Sequence, residues 1–318
     1  MRELKFNLNI GDGTTGILLN TNPSEFYAKS YITEDVVNNF RTLPGIKSKT
    51  KIATTSFTNI LKESSCDFSA LNQTVSSFEI EVQPLSALAE ICRFDIEASY
   101  LSLSMAQGSG ASYEVQPFMN FYWEQMANEI QEEIEVIRWQ GRLGSTASGY
   151  TGDFTFKAQA DGYEKLLSSD GTVLKVTGTV STVDNVLAEL QKVYLKLATD
   201  APDVVAKTAD LRFHVSSNVA ANYRLAVAKA NTLSYVTKNL DFNFLDIKLV
   251  VAQGASANKM VLALKDDLIY AFDGEGDKTA LKAVNLEESV AEPKLRTRVN
   301  LKVGFSYTNP TQIVYYSI

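Results

Sequence analysis

Residues 295–307 constrain the fold of this chain more than any other segment. Leu295, Thr297, Val299, Leu301, Val303, Phe305 and Tyr307 alternate with Arg296, Arg298, Asn300, Lys302, Gly304 and Ser306, so a period of two runs through the whole segment. At about 3.3 Å per residue such a strand reaches ~43 Å, roughly twice the usual length. Its apolar face needs a cover of similar length.

The sequence offers that cover as a helix over residues 117–140, where Met119, Tyr122, Met126, Ile130, Ile134 and Ile137 recur at steps of three and four. Gly141 ends it. A rise of 1.5 Å per residue gives ~36 Å, so helix and strand are expected to pack along their lengths. The other side of the helix carries Glu124, Asn128, Gln131 or Glu132, and Glu135, an acidic stripe facing solvent or a partner.

Strands and helices are mixed through the rest of the chain. A strand is expected within residues 172–180. A helix follows over 181–198, capped by Ser181 or Thr182 and burying Val186, Leu190, Val193 and Leu197. Leu211, Phe213 and Val215 alternate as a strand, and Asn218 is placed to cap a short helix ending near Ala230. Further strands are expected at 245–251, 260–264, 268–272 and 313–316, and Phe78, Ile80 and Val82 mark one more. The fold class is α+β. By contrast, the first 80 residues or so hold little patterned apolar surface and are expected to become ordered against something else.

A length of 318 residues suits about two domains, and 45% hydrophobic with 21% charged residues is an ordinary globular balance. The 30 Lys and Arg against 37 Asp and Glu leave a net charge of −7. That balance disfavours a dedicated nucleic-acid binder, although it allows a protein that encloses nucleic acid without gripping it. Residues 1–10 lack the apolar core of a signal peptide, and no apolar run approaches the ~20 residues of a membrane span. A soluble chain with no membrane partner is expected. Cys66 and Cys92 are too few for a cysteine zinc site or a disulfide framework and are read as reduced thiols.

Catalytic chemistry finds no foothold. His214 is the only histidine, which excludes paired-histidine zinc sites, and its place in an alternating strand reads as a surface or sheet-face residue rather than a general base. Gly11-Asp12-Gly13 lacks the third glycine and the strand-to-helix setting of a dinucleotide fingerprint, and no phosphate-binding GxxxxGK[ST] loop occurs. The acids of the long helix, Glu124, Glu129, Glu132, Glu133 and Glu135, read as a charged stripe rather than metal ligands. Asp266, Asp267 and the 273–277 segment read as charged hairpin tips. No catalytic residue, cofactor or metal is expected. What remains is surface for self-association: Lys47, Lys49, Lys51 and Lys62 make a basic loop that complements Glu124, Glu132 and Glu135 on a neighbouring copy.

In its order of elements the chain resembles the major capsid proteins of tailed bacteriophages, whose fold is named after phage Hong Kong 97. The resemblance is carried by FEIEVQPLSALAEI (78–91), EVIRWQGRLG (135–144), PDVVAKTADLRFHVSSNVAANYRLA (202–226) and RTRVNLKVGFSYTNPTQIVYY (296–316). It implies an N-terminal arm (1–45), an extended loop (46–85), a peripheral domain with a long spine helix and long strand (86–158 and 290–318) and an axial domain of mixed sheet and helices (159–289). It also implies pentamers and hexamers in an icosahedral shell around double-stranded DNA, with portal, scaffolding or decoration proteins as partners. The expected location is the virion, after assembly in the host cytoplasm. No crosslinking Lys–Asn pair is carried over, and separate scaffolding or none is expected. An encapsulin-like nanocompartment enclosing a cargo enzyme resembles the same fold and is the alternative. The leading fifth of the chain is expected to order chiefly against adjoining copies.

Overall fold

The computed structural model describes residues 7–8, 19–20, 34–57, 73–92, 115–144, 155–230, 242–273, 281–286, 292 and 294–318. A short antiparallel pair, β1 (Asn7–Leu8) and β2 (Leu19–Asn20), precedes helix α1 (Glu34–Asn39) and strand β3 (Arg41–Pro44). Next come β4 (Thr50–Phe57), β5 (Gln73–Ile80), β6 (Gln83–Cys92) and the long helix α2 (Val115–Gln140). A 3-10 turn at Thr155–Ala158 leads to α3 (Tyr163–Ser169), β7 (Leu174–Thr177), α4 (Val186–Asp200), α5 (Pro202–Val205), β8 (Leu211–Ser216) and α6 (Ser217–Ala230). The chain closes through β9 (Asn243–Phe244), β10 (Ile247–Ala252), β11 (Met260–Leu264), β12 (Leu268–Phe272), β13 (Leu281–Asn285), β14 (Lys294–Tyr307) and β15 (Val314–Ser317).

The long period-two segment is β14, and its length follows from having three partners. On one edge β6 pairs with it antiparallel from Lys294↔Cys92 to Val303↔Gln83. The other edge is shared by β13, opposite 295–299, and β12, opposite 303–307. With β3 parallel to β12, this makes a five-stranded sheet. Thr297, Val299, Leu301, Val303 and Phe305 are buried, and the four apolar ones share a cluster with Ile130, Ile134 and Ile137 of α2. The lengthwise packing of helix on strand is therefore observed. Each fully buried aliphatic side chain in this layer contributes roughly 1.5–3 kcal/mol.

The second sheet has six strands in the order β7-β15-β11-β8-β10-β9. Helix α4 buries Val186, Leu190, Val193 and Leu197 against it, the face read from the sequence. The helix starts later than expected. Asn185, rather than Ser181 or Thr182, stands at its N-cap position, and Asn185 Oδ1 accepts the Thr182 N–H at 2.7 Å. Asn218 lies inside the first turn of α6, where its Oδ1 accepts from the Ser216 hydroxyl and the Asn258 N–H. Strand β8 is buried on both faces because it sits between β10 and β11, with α4 and α6 over the side of Phe213 and Val215 and with Phe40 and the α2 residue Trp139 over the side of His214.

One sequence expectation is corrected by the strand order. The 260–264 and 268–272 strands are not arms of one hairpin: β11 joins the six-stranded sheet and β12 the five-stranded one. Asp267 between them is buried rather than at a charged tip. Strand β12 lies beside β14, and β15 lies between β7 and β11.

The expectation that the leading fifth orders chiefly against other copies fails for residues 34–46. Val36 and Phe40 are in the main core, where Phe40 stacks on Tyr163 with ring centroids 5.8 Å apart and planes at 1°. Beyond β3 the chain forms the antiparallel β4–β5 hairpin, whose base packs Ile46, Ile52, Phe78 and Ile80 on Ile269 and Ala271 of β12. Residues 58–72, including Lys62, lie outside the described residues.

Candidate functional site

The C-terminal turn of α2 is buried at Ile137, Arg138 and Trp139. Arg138 is 3% exposed, pairs with Glu135 one turn earlier, and lies over the rings of Phe40 (5.1 Å) and Tyr270 (5.0 Å). Glu135 also accepts from Trp139 Nε1 at 3.2 Å. One buried cation thus ties α1, α2 and β12 together, its charge met by a carboxylate and two aromatic faces. Beside it is a cavity of about 120 Å³ whose lining includes Asn39, Glu132, Glu135, Arg138, Trp139 and His214.

His214 is 2% exposed and packed between Phe40 and Trp139, so it is a buried sheet-face residue and not a surface one. Among the described residues neither ring nitrogen has a hydrogen-bond partner, so none of their acids orients it and none of their hydroxyls is activated by it. Burial, reinforced by Arg138 and Arg212, pushes it down to about 3. An unfolded histidine titrates near 6.5, so the folded chain binds fewer protons than the unfolded chain between those values. Stability from this residue is therefore full above pH 6.5 and is lost as pH falls, by up to about 1.4 kcal/mol per pH unit within that window. Denaturant titration between pH 4 and 7 is expected to show a shallower acid limb for His214→Gln than for the parent. Equal slopes would contradict this placement.

The residues read as an interface are dispersed. Lys47, Lys49 and Lys51 run along the base of the β4–β5 hairpin and are exposed. Lys49 and Lys51 already pair with Glu79 across that hairpin, at 2.6 and 3.0 Å, and hold its carboxyl below the ordinary range. The Lys47 carbonyl accepts from Lys302 Nζ at 3.3 Å. On α2, Glu124 and Glu132 are exposed, as is Glu129, whereas Glu135 turns inward to Arg138 and leaves the stripe. Burial and the neighbouring charge of Glu129 raise the Glu133 carboxyl. Among the described residues no three His, Cys, Asp or Glu side chains are grouped to hold a metal, and no helix is long and apolar enough to cross a membrane.

Sequence reasoning missed the apolar part of the surface. Leu88 is 70% exposed on β6, beside Arg296 and Arg298 of β14, and Leu195 and Leu225 stand out from α4 and α6. An alternating or amphipathic pattern assigns such positions to the polar side, so the visible signal was a leucine where the pattern called for a polar residue. Among the described residues no His, Cys, Asp and Glu side chains converge as a metal or catalytic cluster.

No protein-family model and no curated protein sequence matches the chain. Solved structures do. A chain of the satellite phage P4 procapsid that includes the size determination protein Sid matches with a TM-score of 0.58 at 11% identity, over 92% of this chain and 96% of that one. The capsid of a native GTA particle matches at 0.51 and 9% identity, over 98% and 94%. A virus-like particle from Pyrococcus furiosus matches at 0.51 and 9%, over 93% and 96%. The fold of this chain is therefore the fold shared by phage capsid chains.

Proposed function

We propose that this chain is the major subunit of an icosahedral, phage-type capsid, which assembles with itself into pentamers and hexamers around packaged double-stranded DNA. The observation that supports this most is the end-to-end likeness to a procapsid chain, covering nearly the whole of both molecules. In this reading the five-stranded sheet with α2 is the peripheral domain, the six-stranded sheet with α4 and α6 is the axial domain, and the β4–β5 hairpin is the extended loop laid on a neighbour. The exposed leucines and the acidic face of α2 are contact surface. A net charge of −7 suits a wall that stores DNA with little attraction for its phosphates. Portal, scaffolding or decoration proteins complete the particle, which assembles in the host cytoplasm. No catalytic step belongs to the subunit.

The likeness to the Pyrococcus furiosus virus-like particle favours one second reading, a nanocompartment shell around a cargo enzyme. The contents separate the two. Nuclease-treated particles from producing cells are expected to retain protected double-stranded DNA. A co-purifying folded enzyme in uniform small shells would support the compartment instead.

The proposed pairing of basic hairpin with acidic helix has its own test. Lys49 and Lys51 serve Glu79, so reversing them also disturbs the hairpin, and Lys47→Glu is the cleaner probe. It is expected to slow assembly at low salt and to have less effect at high salt, where the attraction is already screened. Unchanged assembly at both would contradict the pairing.

A further inference from the structure

Two short crossovers between the sheets meet at Asp267. Residues 265–267 carry the chain from β11 to β12, and residues 308–313 carry it from β14 to β15. Thr308 N–H donates to the Asp267 carbonyl at 2.8 Å. The Thr308 hydroxyl and the Asn309 side-chain amide both donate to carboxyl Oδ1, at 3.1 and 2.9 Å. Asn309 takes left-handed backbone (φ 47°), which presents its amide to the carboxyl and which asparagine tolerates better than most residues. Asp267 is 2% exposed, and among the described residues Oδ2 has no hydrogen-bond partner.

The surrounding charges do not compensate a carboxylate there. Asp266, next in the chain, opposes ionisation, and Lys207 from the turn after α5 favours it less strongly. Lys265 and Asp210 are joined through the main chain at 2.9 Å, and Tyr307 is bound to Asp170. Burial is the dominant influence and lifts the Asp267 carboxyl to about 6. The two donors on Oδ1 favour the carboxylate, but burial outweighs them: a neutral acid leaves an unpaired O–H at Oδ2, whereas a carboxylate leaves a dry charge there, the costlier of the two.

We propose that the paired crossovers form a joint between the two sheets, clasped by the Asp267 carboxyl, which is held most tightly while that group keeps its proton and opens to water more readily once the proton is lost. The inference is independent of the shell reading, since it concerns the single chain.

Hydrogen exchange at Thr308 and at residues 265–268, corrected for the intrinsic pH dependence of exchange, reads the joint directly. Opening is expected to increase by up to about tenfold per pH unit between the ordinary carboxylate range near 4 and pH 6, then to level off. His214 drives global stability in the opposite direction over the same range, so the comparison is made with Asp267→Asn, which leaves His214 intact. In Asp267→Asn the rise should disappear. Asn309→Ala, which removes one donor while keeping the acid, should move the plateau to higher pH and serves if the first variant does not fold. A parent protein with pH-independent opening, or a rise that survives in Asp267→Asn, would overturn the proposal.

Discussion

Gly162→Ala is expected to cost on the order of 3 kcal/mol or to abolish soluble expression. A Cβ there would lie 2.5 Å from the Ile137 carbonyl oxygen, 2.7 Å from that of Trp139 and 2.8 Å from that of Arg138. All three are main-chain atoms at the end of α2, held by the helix, and none can rotate away as a side-chain tip would. The contact is also bonded: Gly162 N–H donates to the Gly141 carbonyl at 2.9 Å, and Gly141 N–H to that of Ile137 at 2.9 Å. Gly141 is equally confined, its Cβ position lying 2.3 Å from the Ala160 carbonyl oxygen. Chemical denaturation compared with Gly171→Ala, where a Cβ meets nothing within 4 Å, isolates the collision. A Gly162→Ala protein as stable as that control would show that the segment after α2 is not seated as described.

Arg138→Met should cost about 3 kcal/mol, at the lower end for a broken buried ion pair because Glu135 keeps some contact with solvent. Methionine preserves most of the volume between Phe40 and Tyr270, so the loss comes chiefly from an unpaired Glu135 and from the missing cation over two rings. Adding Glu135→Gln removes the stranded charge while leaving an oxygen for Trp139 Nε1. The double variant is therefore expected to be more stable than Arg138→Met alone. A double-mutant cycle measured by denaturant unfolding checks this, and strict additivity of the two changes would mean that the pair is not coupled.

These two sites show which parts of the fold could be read from sequence and which could not. Regular periodicity reports one-sided burial, so β14 from Thr297 to Phe305 and the apolar face of α4 were legible. The buried end of α2 was not. Ile137, Arg138 and Trp139 are three consecutive inward residues, a pattern with no period, produced because the chain covers the helix end from several sides. Arg138 in particular reads as a solvent charge until Phe40 and Tyr270 are known to flank it. Phe40 itself comes from a segment whose weak patterning suggested dependence on other copies, and what secures it is the parallel pairing of β3 with β12, a contact between residues more than two hundred positions apart. The same limit explains Asp267, since local spacing cannot tell a hairpin from a crossover between sheets.

The residues expected at an interface show the limit of charge patterning. Lys49, Lys51 and Glu135 have the charge and spacing of partner-seeking groups, yet each has a partner within its own chain. Glu124, Glu132 and Lys47 are exposed. Charge patterning shows where cations and anions collect but not whether the chain folds them onto each other, and exposed pairs are individually weak enough to exchange partners on assembly.

Electron microscopy of the purified protein, run beside size-exclusion chromatography across salt and protein concentration, tests the central claim most directly. Closed polyhedral particles built of five- and six-membered clusters, with the α2 and β14 layer and the β4–β5 hairpin traceable in each subunit, are the predicted result. A monodisperse single chain that stays dissociated under all those conditions would contradict it.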